Sequence, residues 1–130
     1  MKMPHFLLSA EASFSAAHTL PGIAKCDRMH GHDWRVRLTV RVERAAVGPT
    51  DLAVDFRLIE RAAADAVADL DHRYLNDLPV FAGRGATAER VAELISERAA
   101  SQLATVAPQV TLVEVVVWET PQYQVVYRPA

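Results

Sequence analysis

The chain has a single cysteine among its 130 residues, which excludes an internal disulfide and is typical of a protein from a reducing compartment. No apolar run approaches the roughly 20 residues that a membrane-spanning helix needs. The apolar patch near the N-terminus is interrupted by Glu11, so it does not match the core of a signal peptide. The net charge of -2 leaves no basic excess. We therefore expect a cytoplasmic protein that binds neither nucleic acid nor membrane.

The composition favours a single folded domain. Apolar residues make up 51% of the chain, enough for a hydrophobic core, and the length fits one domain over 1–130. No internal repeat, low-complexity tract or linker divides the sequence.

Strands are predicted at both ends of the chain. Residues 34–42 alternate between apolar and polar side chains, the pattern of a half-buried strand. Residues 5–16 are the expected antiparallel partner, and the first strand extends to His18. Residues 110–118 and 122–127 are predicted to form a second hairpin around Pro121.

The middle of the chain is predicted to be helical. Apolar residues recur at helical spacing over 56–70 and again from Thr87 to Val106, where Thr87 is a suitable N-cap and Pro108 ends the helix. The order ββααββ indicates an α+β fold with a four-stranded antiparallel sheet and both helices on one face. Strand 110–118 is apolar on both faces and the sheet has open edges, so we expect self-association.

A metal site is predicted around the sequence CDRMHGHDW, residues 26–34. An extended backbone sends His30 and His32 to the same side, where they can bind one ion. His18 should lie beside them if the first two strands pair. Three imidazoles without a fourth protein ligand describe an open zinc site, although a His-x-His pair alone is more often a surface or structural feature. His5 has no evident partner and is read as incidental.

The residues leave two roles open for Cys26. Its neighbours Lys25, Asp27 and Arg28 indicate an exposed loop rather than the core. Nearby cations would favour the reactive thiolate, but a cysteine four residues before a histidine ligand is also a plausible fourth ligand.

Further candidates are Asp71, His72 and Glu119. The Asp71–His72 pair follows the first helix, where a histidine often only caps the helix C-terminus, but the pair is also suited to relaying protons. Glu119 ends a strand in the sequence WET. Its carboxylate either solubilises a turn or accepts paired N–H donors from a flat heterocycle.

Together these segments resemble the 6-pyruvoyl-tetrahydropterin synthase family of tunnelling-fold enzymes. The matching segments span residues 14–120 in the family's order, namely FSAAHTL, CDRMHGH, VDF, LDHRYLND, TAE and WET. The short interval between the cysteine and His-Gly-His resembles the bacterial 6-carboxy-5,6,7,8-tetrahydropterin synthase branch. One departure is Gly85-Ala86-Thr87, where the family commonly has Asn-Pro-Thr before the second helix.

The resemblance implies a role for each candidate residue. It implies Zn²⁺ on His18, His30 and His32, with Cys26 as the catalytic thiol rather than a ligand. It further implies proton transfer by Asp71 and His72, and substrate binding by three residues: Glu119 as the pterin anchor, with Thr87 and Glu89 at the pterin pocket.

The activity and assembly implied by the resemblance are also expectations. The reaction is conversion of 7,8-dihydroneopterin triphosphate to 6-carboxy-5,6,7,8-tetrahydropterin, with loss of acetaldehyde and triphosphate, in queuosine-type deazaguanine synthesis. The assembly is a homohexamer of two stacked trimeric β-barrels with active sites between subunits. The alternatives are the pyruvoyl-forming synthase reaction, without side-chain cleavage, and a non-catalytic zinc- or pterin-binding protein.

Overall fold

A computed structural model describes residues 3–130, so the first two residues of the predicted domain lie outside the described part. Two helices lie between two groups of strands, as the sequence predicts. In chain order the elements are β1 (His5–His18), β2 (His30–Glu43), α1 (Phe56–Val67), β3 (Arg73–Tyr74), α2 (Ala88–Val106), β4 (Thr111–Thr120) and β5 (Tyr123–Tyr127). Short 3₁₀ turns occupy Arg44–Ala46, Leu75–Asp77 and Pro79–Phe81.

The sheet has five strands in the order β3-β1-β2-β4-β5, so the prediction of a four-stranded, wholly antiparallel sheet is wrong. The additional strand β3 has two residues and runs parallel to β1, with Arg73 opposite Ala16 and Tyr74 opposite Ala17. A strand of two residues is too short to show a periodicity in the sequence. It forms because this segment docks beside β1. The other pairings are antiparallel, as predicted.

Both helices pack on one face of the sheet. Alternate residues of β2, including Trp34, Val36 and Leu38, are fully buried beneath them, as are Val115 and Val117 of β4. Each helix begins at a residue whose side chain accepts a backbone N–H: Asp55 caps α1 and Thr87 caps α2. The helix α1 ends at Val67, three residues before the predicted end, and none of the described helices is long and apolar enough to cross a membrane.

The opposite face of the sheet is polar. The guanidinium of Arg35 lies 3.8 Å from the ring centre of Trp118, and Arg37 lies 5.0 Å from it. Glu11 forms ion pairs with both arginines. No helix of residues 3–130 covers this face, so it remains open on the single chain.

Candidate functional site

Three histidine rings converge at one end of the sheet. β1 and β2 pair so that His18 lies opposite His30 and Ala16 lies opposite His32, which confirms the predicted proximity of the three histidines. Their ring centres are 4.5 Å apart for His18–His30, 4.8 Å for His30–His32 and 5.2 Å for His18–His32. The prediction for β2 placed its start at Trp34, but the strand begins at His30 and so includes both later histidines.

Backbone carbonyl groups fix the tautomers of two of these rings. His18 Nδ1 lies 2.8 Å from the carbonyl oxygen of Ala86, and His30 Nδ1 lies 2.8 Å from that of Arg28. Because a carbonyl oxygen only accepts, each Nδ1 must carry the proton and donate it. Each Nε2 is then left with a lone pair, the form in which neutral imidazole binds a metal.

The rings leave buried nitrogen atoms without a hydrogen-bond partner among the described residues. These atoms are Nε2 of His18 and Nε2 of His32. His18 is fully buried, so an unpaired nitrogen there is unfavourable unless a ligand satisfies it. Ligand atoms of His18, His30, His32 and Glu119 all lie within 4.8 Å of one another, and this group could hold a metal ion.

Glu119 lies within the histidine group. Its Oε1 is 3.2 Å from His32 Nε2 and its Oε2 is 3.8 Å from His18 Nε2. The sequence places Glu119 just after a strand, but β4 continues to Thr120, and its pairing with β5 shifts between Trp118 and Thr120. The extra residue is a β-bulge, and bulges re-aim side chains next to functional sites. The carboxylate is therefore available to a metal and to an incoming ligand.

Burial lowers the pKa of His32 from its ordinary value of 6.5. The carboxylate of Glu119 acts in the opposite direction, while His18 and His30 add to the lowering. The net effect favours the neutral ring, which is the form that binds metals.

In the metal-free protein we expect stability to fall as the pH decreases below about 6.5, because of His32. The unfolded chain takes up a proton at the ordinary histidine pKa, whereas folded His32 does so only at lower pH. The unfolded state thus carries more protons in this window, so the free energy of unfolding rises with pH there and levels off above it. Urea unfolding of chelator-treated protein from pH 5 to 8 measures this.

The variant His32→Gln should flatten the pH dependence, and His5→Gln measures what the same substitution does at an exposed histidine of the sheet. His5 is an exposed histidine of the same sheet. Its Nδ1 lies 2.9 Å from the carbonyl oxygen of Met3. An unchanged pH dependence in His32→Gln would contradict the assignment.

Cys26 lies in the loop between β1 and β2 and is partly buried. It is not a member of the four-residue ligand group. Its backbone carbonyl accepts the N–H of Leu20 at 2.6 Å, which closes the loop at its base. The thiol is thus presented by a loop, whereas the histidines are presented by paired strands.

Asp71 and His72 form a hydrogen-bonded pair on the surface. Asp71 Oδ2 lies 3.0 Å from His72 Nδ1, and Asp71 Oδ1 accepts the backbone N–H of Ser15 at 2.9 Å. The Ser15 hydrogen bond, followed by that of His72, lowers the pKa of Asp71 below its ordinary value. The carboxylate therefore stays ionised and can accept a hydrogen bond from the His72 ring.

One member of the histidine group and one member of the Asp71–His72 pair line the same cleft. His32 and His72 both line an open cleft of about 520 Å³, together with Ser15, Asp33 and Arg73. His72 is 82% exposed in its side chain and Asp71 is 44% exposed. A pair so open to solvent would need a further covering element to exclude water.

The loop before α2 contacts the histidine group through its backbone. Ala86 is fully buried, and its carbonyl is the acceptor for His18 Nδ1–H. Thr87 caps α2 by accepting the N–H of Arg90 at 3.1 Å, and Glu89 is exposed in the first turn of the helix. A Cβ at Gly85 would lie 3.2 Å from the Thr87 methyl group, which favours glycine in this form of the loop.

Three contributors to the site were not predicted from the sequence. The buried ring of Trp34 packs edge-on against His18 and His32, and its Nε1–H donates to the carbonyl of Ala16. The alternation of β2 predicts Trp34 only as a core residue. The Ala86 carbonyl leaves no signal in the sequence, because every residue has one. Ser15 becomes visible only once the pairing of β1 is known.

Comparison with known proteins agrees with this architecture. A family model described as 6-pyruvoyl tetrahydropterin synthase matches residues 7–130. The 6-carboxy-5,6,7,8-tetrahydropterin synthase of Bacillus subtilis is 32% identical over 130 residues, covering 95% of this chain and 86% of the relative. A protein of the same name from Synechocystis is 38% identical over 76 residues, which is 55% of this chain and 59% of that relative's length.

The fold also matches a solved structure. The 6-pyruvoyl tetrahydropterin synthase of Caenorhabditis elegans superposes with a TM-score of 0.82 at 26% identity, covering 100% of this chain and 99% of that one.

Proposed function

Because the chain belongs to the 6-pyruvoyl tetrahydropterin synthase family, we propose that it acts on 7,8-dihydroneopterin triphosphate. The proposed products are 6-carboxy-5,6,7,8-tetrahydropterin, acetaldehyde and triphosphate. The names of the Bacillus subtilis and Synechocystis relatives support the carboxy-forming reaction. The observation that carries the proposal is the convergence of three imidazoles beside a carboxylate, with His32 of this group and His72 lining the same cleft.

The proposed metal ligands are His18, His30 and His32, and the proposed metal is Zn²⁺. The orphaned Nε2 atoms and the all-imidazole donor set fit zinc, which binds histidine readily and keeps one position open in catalytic sites. A zinc ion bound there supplies Lewis acidity, which polarises the hydroxyl oxygens of the substrate side chain and makes the adjacent C–H bond more acidic.

Cys26 is the proposed base for the substrate carbon. A thiolate is a competent proton acceptor, and its place outside the ligand group keeps its lone pair free. Its loop also forms a cleft of about 610 Å³ lined by Lys25, Asp27 and Arg28. The two cationic side chains make this cleft the proposed position for the triphosphate, whose oxygens they can bind.

His72 is the proposed donor and acceptor of the remaining protons. Asp71 holds the Nδ1–H of the ring, so transfer takes place at Nε2. This division of labour follows from the ionised state of Asp71, which makes it a hydrogen-bond acceptor rather than a proton donor.

The pterin ring is proposed to bind at Glu119, with Thr87 and Glu89 at the edge of its pocket. The carboxylate of Glu119 can accept two N–H groups of the flat ring, and the bulge directs it to the histidine group. Such anchoring would hold the substrate side chain at the metal, where orientation lowers the barrier.

The proposed assembly is a homohexamer of two trimeric barrels in the cytoplasm, with sites completed between subunits. The exposed Asp71–His72 pair, the open polar face and the edge of β1 before Ala16, which no other described strand pairs with on that side, support association with further copies. A neighbouring copy would cover the cleft and bring its Cys26 to the pair. The proposed role of the product is in queuosine-type deazaguanine synthesis.

The second candidate is the pyruvoyl-forming reaction, in which triphosphate is eliminated but the side chain is not cleaved. The likeness to the Caenorhabditis elegans synthase favours it. The two reactions differ in whether a carbon–carbon bond breaks, so their products separate them.

The deciding experiment incubates zinc-loaded protein with 7,8-dihydroneopterin triphosphate and measures triphosphate, acetaldehyde and the pterin product. We expect equal amounts of acetaldehyde and 6-carboxytetrahydropterin. Triphosphate with a pyruvoyl pterin and no acetaldehyde would establish the second candidate. Zinc-loaded protein that binds the substrate but releases neither product would contradict both and identify a non-catalytic binding protein.

A further inference from the structure

The backbone of Ser15 holds both members of the Asp71–His72 pair. Its N–H donates to Asp71 Oδ1 at 2.9 Å, and its carbonyl accepts the backbone N–H of His72 at 2.6 Å. The other oxygen of Asp71 is the one that faces the His72 ring. One residue of β1 thus determines where both the carboxylate and the imidazole lie.

The side chain of Ser15 is itself fixed by Asp33. Its hydroxyl donates to Asp33 Oδ1 at 2.6 Å, and the two residues are directly opposite each other in the pairing of β1 with β2. Asp33 follows the metal-group residue His32 in β2. The Ser15–Asp33 hydrogen bond therefore joins the strand that carries His32 to the residue that holds the acid–base pair.

The backbone of His72 is in a conformation that needs such support. Its φ of 60° is in the left-handed region, which is uncommon and unfavourable for a residue other than glycine, although histidine tolerates it better than most. Hydrogen bonds to β1 and to the residue that follows it hold this turn on both sides of the His72 ring. Ser15 binds the His72 N–H, and Asn76 exchanges two hydrogen bonds with the backbone of Thr19 at the end of β1.

We propose that Ser15 and Asp33 form a positioning pair for the acid–base residues Asp71 and His72. The pair acts through the Ser15 backbone and sets the distance between the His72 ring and the histidine group across their shared cleft. The inference rests on the proposed function for its kinetic consequences, but its structural consequence is independent of substrate.

The kinetic test compares Ser15→Ala with Ser13→Ala. Ser13 lies on the same polar face two residues earlier and is exposed. We expect Ser15→Ala to lower kcat by about 10- to 100-fold with KM and zinc content unchanged, the range typical of outer contacts to functional groups. Ser13→Ala should behave as wild type. Ser15→Thr keeps the hydroxyl and should restore most of the activity.

A double-mutant cycle tests the link to Asp33. Asp33→Ala should resemble Ser15→Ala, and the double variant should be no slower than either, because each change removes the same hydrogen bond. Losses that multiply in the double variant would mean that the two residues act separately, and this would overturn the pairing.

Nuclear magnetic resonance of ¹⁵N-histidine protein supplies a readout that needs no turnover. The Nδ1–H form of His72 should dominate in wild type and Ser13→Ala, and should give way to a mixture of tautomers in Ser15→Ala. Unchanged His72 signals together with unchanged kcat in a folded Ser15→Ala protein would overturn the inference. If the wild-type protein lacks activity, the His72 ring signals still show whether Ser15 positions the ring, independently of the proposed reaction.

Discussion

Replacing Cys26 with alanine should nearly abolish turnover while leaving the fold and the metal in place. The thiol lies outside the ligand group and in a loop, so no metal bond and little of the core depends on it. Loss of a general base commonly lowers the rate by about 10²- to 10⁴-fold. The measurement is kcat for triphosphate release, made on protein whose zinc content is determined by atomic absorption.

Two further variants refine this prediction. Cys26→Ser should be almost as inactive, because a serine hydroxyl is a far weaker base than a thiolate. Ile23→Ala changes an exposed residue of the same loop and should retain activity. If Cys26→Ala instead lost its zinc, the sulfur would be a ligand, and its role as a base would have to be abandoned.

Replacing His30 with alanine should remove the tightly bound metal. His30 supplies one of the three imidazoles of the proposed ligand set, and the remaining two rings with Glu119 would hold zinc far less well. In wild type, zinc should stabilise the fold by about 4 kcal/mol when its free concentration is about 1,000 times Kd. This stabilisation by zinc should vanish in His30→Ala, and thermal unfolding with and without zinc measures it.

His30 is a better choice than His18 for this test, because His18 is fully buried and its removal would also leave a cavity. His5→Ala is the matched control and should keep both zinc and the stabilisation. Glu119→Gln should keep zinc and raise KM if the carboxylate anchors the pterin. Zinc bound stoichiometrically to His30→Ala would contradict the proposed ligand set.

The sequence predicts the histidine group because the strand period places it. His30 and His32 are two residues apart on extended backbone, so their side chains share a face, and His18 joins them once the two predicted strands pair. The helices are equally visible, since their apolar spacing and the Thr87 cap mark them. These features depend on local periodicity, which a single sequence contains.

Other parts of the site depend on contacts between distant segments, which leave no local pattern. The bulge that directs Glu119 towards His32 arises from the register between two strands. The strand β3 and the turn at His72 exist because that segment docks on β1. The functional roles of Cys26, Asp71 and His72 stay predictions, since only chemistry on the substrate tests them.

The two parts of the β1–β2 hairpin differ in how much change in length they tolerate, the paired strands that carry the histidines and the loop that carries Cys26. Fourteen consecutive residue pairs, from His5–Glu43 to His18–His30, keep the imidazoles in register, so inserting one residue within either strand would turn later side chains to the wrong face. The intervening residues 19–29 carry Cys26 and lie outside that ladder. Insertions and deletions in this segment would move the thiol while leaving the register of the three histidines unchanged.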